Sequence, residues 1–187
     1  METNINTRIN FDLDQLVDGL RKEDDRNMRL TNRFKWIMWI FAPLYFVFFL
    51  FLLYEGESIL KETGFFFFSA SFLFFALIFR NLNNEYKSVD YGLPTTEMLR
   101  KAAQRYEIWQ TKTAKAMFPA FLAAIGVSLS SEEMIPNVDD LKIRIALAFG
   151  AYLILLAVGF GIGYLVWYKR QKPLRDRSLA LLDELEK

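Results

Sequence analysis

The residue types that most often carry chemistry in proteins are scarce in this sequence. Its 187 residues include no Cys and no His, which removes thiolate nucleophiles, the commonest metal ligand and the commonest general base at neutral pH. Two acidic pairs, Glu132 with Glu133 and Asp139 with Asp140, lie in one short segment between apolar runs. Since such pairs without converging partners are typical of solvated charge, we expect no catalytic residue, no metal site and no cofactor, with a weak Ca²⁺ contact as the alternative.

Serine and glycine residues within the apolar runs are candidates for hydrogen bonding and helix packing. Ser69 and Ser71 are polar positions in an otherwise aromatic run. Their hydroxyl groups are expected to bond to their own helix or to a neighbouring helix, with pore lining as the alternative. Gly159 and Gly163 have the GxxxG spacing that lets two helices approach closely. They are candidate helix-packing residues, either within one chain or between two copies.

The elements that carry these residues are four runs without Asp, Glu, Lys or Arg. A bilayer core of roughly 30 Å needs about 20 helical residues. With their ends extended where needed, the four predicted spans are 36–54, 60–80, 113–129 and 145–168. The third reaches this length only with polar residues included, so a re-entrant, interfacial or buried helix is its alternative. Because the runs lack a polar stripe, the sequence predicts an all-α integral membrane protein with four transmembrane helices and amphipathic cytoplasmic helices.

The distribution of basic residues predicts how these spans are oriented. Residues 1–35, 80–115 and 169–187 contain 20 of the 23 Lys and Arg residues, whereas the loops 55–63 and 130–144 contain the other three. Basic residues accumulate on the cytoplasmic side of membrane proteins. We therefore expect a multi-pass protein of the plasma (inner) membrane with both termini in the cytoplasm.

A charged segment between the second and third spans predicts an amphipathic helix over 95–113. It follows a turn signal at Gly92 and Pro94 and lacks a stop before the third span, so one continuous helix is an open alternative. Its apolar face contacts either the inner leaflet or other helices of the same chain. The residues of this face are Met98, Leu99, Ala102, Ala103, Tyr106, Trp109 and Thr113.

The amino-terminal segment 1–35 has a second apolar stripe. Asp12 and Gln15 form a capping pattern that predicts a helix start, and the stripe that follows has helical spacing. The expected partner is helix 95–113 or the tail helix 169–187, and the alternative is a soluble protein. The stripe consists of Leu13, Leu16, Val17 and Leu20.

Three parts are therefore expected: the helical segment 1–35, a membrane domain 36–168 that includes helix 95–113, and the tail helix 169–187. Amphipathic helices without catalytic residues favour a non-catalytic regulator or scaffold. We expect it to bind membrane lipid and a cytoplasmic or membrane protein, but no nucleic acid, because the net charge is only +1. A small channel or transporter subunit, homo-oligomeric through Gly159 and Gly163, is the alternative. The candidate partner or inner-leaflet contacts are Leu13, Leu16, Val17, Leu20, Arg100, Lys101, Arg105, Tyr106 and Trp109.

Overall fold

The computed structural model is helical throughout the residues it describes. These residues are 2–108, 111–131, 135 and 137–186, and side chains are described for 12–108, 114–131, 135 and 137–186. Helix makes up 88% of the chain, with no strand in the described residues. The helices are α1 (Glu2–Glu55), α2 (Ile59–Lys87), α3 (Thr95–Arg105), α4 (Thr111–Leu129), α5 (Leu141–Val166) and α6 (Lys172–Leu185), and a π-helical turn, Trp167–Gln171, joins α5 to α6.

This helix content confirms the all-α class. Three of the helices are long and apolar enough to cross a membrane. They are α1, α2 and the continuous rod formed by α5, the π-helical turn and α6. The apolar part of α4, Ala114–Leu129, is shorter. Many large apolar side chains of these helices point away from the rest of the chain, and Leu155 is 71% exposed. An apolar surface of this extent is stable when its solvent is hydrocarbon instead of water.

Helix α1 is longer than the sequence patterns predict. The capping pattern at Asp12 and Gln15 does not start a helix, because the helix already begins at Glu2. The same helix continues without interruption into the first apolar run and includes Pro43. It ends at Glu55, where Gly56 adopts a positive φ of 71° that reverses the chain towards α2.

Helix α3 is shorter than predicted and does not continue into α4. It ends at Arg105, so the prediction of one helix over 95–113 was wrong at residues 106–108, which are not helical, whereas 109–110 lie outside the described residues and 111–113 begin α4. Two contacts explain the stop. The Tyr106 carbonyl accepts a hydrogen bond from Trp167 Nε1 at 2.8 Å, and the Glu107 N–H turns back to the Gln104 carbonyl at 3.3 Å.

Aromatic rings join α1 to α2 along an antiparallel hairpin. The ring of Tyr45 lies 5.0 Å from Phe72 and 5.4 Å from Phe68. Nearer the chain's amino terminus, Phe34 stacks on Phe79 at 5.4 Å. Offset and tilted ring pairs of this kind contribute about 0.5–1.5 kcal/mol each beyond simple burial. The abundance of Phe in both runs is therefore used to hold the two helices in register.

Hydroxyl groups attach α2 to its neighbours beside the two helical prolines. Ser69 Oγ donates to the carbonyl of Ala42, which precedes Pro43, at 2.8 Å. Ser71 Oγ donates to the carbonyl of Pro119 in α4, also at 2.8 Å. Both serines thus bond across to neighbouring helices. A further bond of 2.8 Å, from the Tyr152 hydroxyl to the Ala120 carbonyl, joins α5 to α4.

Two glycines let α2 and α4 approach at backbone distance. A Cβ atom placed on Gly126 would lie 3.1 Å from the carbonyl oxygen of Gly64 and 3.1 Å from the ring of Phe68. Nothing lies within 4 Å of the corresponding position on Gly159 or Gly163. The close helix contact therefore uses a pair of glycines outside the GxxxG motif, which faces outward in this chain.

We predict that Gly126→Leu destabilises the bundle by about 1–3 kcal/mol, because a larger side chain must push α2 and α4 apart. Titration with SDS in mixed micelles unfolds the protein and measures the loss of unfolding free energy. At the matched control position Gly159 an added Cβ meets nothing within 4 Å, so we expect Gly159→Leu to stay within about 0.5 kcal/mol of the original chain. Equal losses for the two variants would contradict the close approach at Gly126.

Candidate functional site

Three segments that are distant in sequence form a helical layer at one end of the apolar helices. We call it the end layer, and it comprises residues 12–31 of α1 together with α3 and α6. Both of the chain's ends contribute to it, since α1 contains the amino-terminal residues and α6 the carboxyl-terminal ones. The core of the end layer consists of Leu16, Leu20, Met98, Leu99, Ala102 and Tyr106, surrounded by Leu13, Val17, Tyr91, Leu93, Leu174, Leu181 and Leu182.

The spacing of the apolar residues explains why these segments meet. Leucines on one face of α6, among them Leu174 and Leu181, and the apolar face of α3 pack with the stripe on α1 in a single cluster. Leu20 is completely buried. Burying a Leu side chain contributes about 1.5–3 kcal/mol, so this core supplies much of the free energy that holds the layer together.

The centre of the end layer is a buried carboxylate, Asp24, which is 3% exposed. Arg105 donates from Nη1 to Oδ2 as an ion pair. The hydroxyl of Tyr91 donates to the same oxygen at 2.5 Å, and the hydroxyl of Tyr106 donates to Oδ1 at 2.7 Å. A buried charge is tolerated only when it is paired and hydrogen-bonded. Asp24 meets this condition through Arg105 in α3, Tyr106 directly after α3 and Tyr91 in the segment that precedes it.

The tyrosines around Asp24 are held in their protonated, donating form. Burial raises the pKa of Tyr106, and the nearby charge of Asp24 raises it further. The pKa of Tyr91 is raised by burial and by its hydrogen bond to Asp24. Since both shifts lead away from neutrality, the hydroxyl groups of Tyr91 and Tyr106 keep their protons throughout the physiological pH range.

A cleft of about 510 Å³ opens beside this network. Its walls are the end of α2, the segment between α2 and α3, and one face of α3. Arg105 lines the cleft and also contacts Asp24, so it connects the surface to the buried carboxylate. The lining combines two acids, two bases and apolar groups: Glu85, Ser88, Val89, Asp90, Leu93, Met98, Lys101, Gln104 and Arg105.

The cleft has the size of a small-ligand pocket. Its volume lies in the range of small-ligand pockets, about 300–1,000 Å³. Its lining is mostly polar, with charges of both signs and three apolar side chains, Val89, Leu93 and Met98. Among the described residues, no group of three His, Cys, Asp or Glu side chains could hold a metal ion.

The structure divides the candidate contact residues into buried and exposed sets. Leu16, Leu20 and Tyr106 are buried in the core, and Leu13 and Val17 are packed against it. For these five residues, the structure therefore favours packing within the chain over contact with lipid or a soluble protein.

The remaining candidates lie at the surface or outside the described residues. Arg100 and Lys101 are exposed, and they pair at 2.8 Å with Glu186 and Glu97 respectively. Surface pairs of this kind contribute little to stability. Arg105 is 12% exposed and belongs to the Asp24 network. Trp109 lies outside the described residues.

Asp24 is the central residue that the sequence patterns missed, although a signal for it was present. The stripe through Leu16 and Leu20 continues with helical spacing to Asp24 and Asn27, both of which are buried. An acid four residues after the last apolar residue of a stripe lies on the same helix face. That spacing alone would have placed Asp24 towards the core.

Comparison of the chain with models of protein families, with curated proteins and with solved structures gives no match. The end layer, its buried carboxylate and the adjoining cleft are therefore the features from which a function is argued.

We predict strong coupling between Asp24 and Arg105 in a double-mutant cycle. Asp24→Asn and Arg105→Met should each cost about 3–5 kcal/mol of unfolding free energy, because each leaves the other charge buried without its partner. The double variant removes both charges while the tyrosines keep an acceptor, so its loss should be smaller than the sum by about 1–3 kcal/mol.

The control for this cycle is Arg100→Met, which removes an exposed ion pair and should cost less than about 1 kcal/mol. Chemical unfolding in detergent micelles gives all four values. Additive losses at Asp24 and Arg105 would contradict a direct ion pair between α1 and α3.

Proposed function

We propose that this chain is a four-span, non-catalytic protein of the plasma (inner) membrane. Its ends lie in the cytoplasm, and it acts as a regulator or scaffold through the end layer. The observation that carries the proposal is a self-contained layer, formed by both ends of the chain, with a cleft of mixed charge beside its buried Asp24. Such a layer offers a binding surface without a catalytic group.

The meeting of the chain's ends supports four spans. Two ends on the same side of a membrane require an even number of crossings, and three helices are long and apolar enough to cross. Helix α4, with 19 residues, has a length of about 28 Å, close to the thickness of a bilayer core. It also lies along α2 from Pro119 to Gly126, which supports its assignment as the fourth span.

The distribution of charge supports placing the end layer in the cytoplasm. The sequence segments on its side contain nearly all the basic residues, as expected for cytoplasmic segments. The partner is then a cytoplasmic protein or the cytoplasmic part of a membrane protein. Because the Leu16 and Leu20 stripe is covered, the partner contacts the cleft and its rim instead.

One specific observation favours the alternative, a small oligomeric channel or transporter subunit. The Gly159 and Gly163 face of α5 is open and available to a second copy. The hydroxyl groups of Ser69, Ser71 and Tyr152, however, donate to backbone carbonyls of neighbouring helices. These polar groups therefore serve packing, which makes the regulator or scaffold the better supported function.

We predict that single cysteines introduced at Lys22 and Arg177 react with a membrane-impermeant maleimide only when the reagent can reach the inner face of the membrane. Cysteines at Lys61 and Asn137, between predicted spans, should react from outside. The chain has no native Cys to interfere, and labelling of intact cells and of inverted vesicles gives the readout. Reaction of Lys22→Cys and Arg177→Cys from opposite faces would show an odd number of crossings.

We also predict that a photoreactive side chain at Ser88, in the cleft, cross-links one defined protein in native membranes. The same group at the exposed Lys22 is the matched control and should not capture that protein. Reversal of the cleft charge with Lys101→Glu should reduce the Ser88 cross-link at least fivefold, as quantified by mass spectrometry. Identical capture from both positions, or no effect of charge reversal, would contradict a partner site in the cleft.

A further inference from the structure

The junction between α5 and α6 combines aromatic and basic residues in an unusual backbone conformation. Five residues, Trp167–Gln171, form a π-helical turn where the apolar sequence of α5 ends. We call these residues, together with Lys172, the basic turn. Tyr168 is 52% exposed and stacks on Tyr164, with 6.2 Å between the ring centres. Turns of this type often occur at functional positions in otherwise regular helices.

Two cations of the basic turn have no ion-pair partner within the part of the chain that the structure describes. Lys169 and Arg170 are exposed, and no carboxylate of the described part of the chain forms an ion pair with either. Their neighbour Lys172 is engaged, because its Nζ lies 3.0 Å from Asp176 and 5.5 Å from the centre of the Tyr168 ring. The exposed Arg100 and Lys101 are also paired with acids. Lys169 and Arg170 thus form a site of unbalanced positive charge.

A hydrogen bond fixes the position of the basic turn relative to the end layer. Trp167 Nε1 donates to the carbonyl of Tyr106, which lies at the end of α3. The basic turn therefore lies at the boundary between the apolar helices and the end layer. Helix α1 crosses from charged to apolar sequence with a similar pair, in which Lys35 Nζ lies 5.1 Å from the centre of the Trp36 ring.

We propose that the basic turn binds the phosphate headgroup of an anionic lipid in the leaflet adjoining the end layer. This inference rests on the membrane topology proposed above. Exposed aromatic rings are stable at headgroup depth, and unpaired Lys and Arg side chains beside them meet the phosphate layer. The partner is a lipid headgroup and not a soluble phosphate, because the adjoining surface of α5 is apolar and can contact the acyl chains.

The lipid contact is coupled to the buried network of the end layer. Trp167 binds the Tyr106 backbone, and the Tyr106 hydroxyl binds Asp24. A lipid that holds the basic turn in place therefore also holds α6 and the end of α3 against α1.

The test is a lipid titration of the purified full chain in neutral detergent, followed by native mass spectrometry. The probes are phosphatidylglycerol and phosphatidylcholine with identical acyl chains. We expect the original chain to bind phosphatidylglycerol more tightly than phosphatidylcholine. Each basic residue near an anionic surface contributes about fivefold to binding, so Lys169→Gln/Arg170→Gln should weaken phosphatidylglycerol binding about 30-fold.

Two further variants separate the site from general effects of charge and folding. Lys22→Gln/Arg177→Gln removes the same charge from other exposed positions and should change the affinity less than threefold. Lys169→Arg/Arg170→Lys preserves the charge and should retain the preference for phosphatidylglycerol. Circular dichroism of each variant verifies that it is folded.

Three results would overturn the inference. They are equal affinity of the original chain for both lipids, equal weakening by the two Gln variants, and full competition by soluble glycerol phosphate at the lipid's concentration. Its failure is distinguishable from failure of the proposed function. Loss of lipid preference with intact topology and an intact Ser88 cross-link rejects this inference alone, whereas labelling of the chain's ends on opposite faces rejects the proposed topology.

Discussion

The ion pair between Asp24 and Arg105 is the interaction on which the arrangement of the end layer depends. Apolar stripes on α1, α3 and α6 bring the helices together, but a stripe of leucines tolerates several registers. A buried carboxylate with an arginine and two tyrosine donors is satisfied in only one of them. The polar network therefore selects the register, and the leucines supply the free energy that offsets the desolvation of the charges.

The apolar helices are held together by a different kind of contact. In hydrocarbon, apolar surfaces gain little by leaving their solvent, so helices associate through close packing and hydrogen bonds. This chain uses stacked rings between α1 and α2, glycines between α2 and α4, and hydroxyl groups that bind carbonyls near Pro43 and Pro119. Helix α2 contributes to each of these contacts and is therefore the central helix of the bundle.

The sequence predicted those features that are encoded locally and missed those that depend on distant residues. Apolar runs and helical stripes are properties of consecutive residues, so the helical class and the faces of α1 and α3 were accessible. The end of α3 depends on Trp167, 61 residues away, and the partners of Asp24 are 67 to 82 residues away. Similarly, the spacing of Gly159 and Gly163 is visible locally, but the choice of Gly64 and Gly126 for close packing depends on which helices are neighbours.

The unbroken course of α1 has a mechanical consequence. Asp24 and Pro43 lie on one rod, about 28 Å apart at 1.5 Å per residue. A rotation of about 10° around Pro43 would carry Asp24 sideways by about 5 Å, more than the length of its hydrogen bonds. Tilt adjusts a helix to the thickness of its bilayer. Because α1 is one continuous helix, a change in its tilt would be transmitted directly to the hydrogen bonds of Asp24.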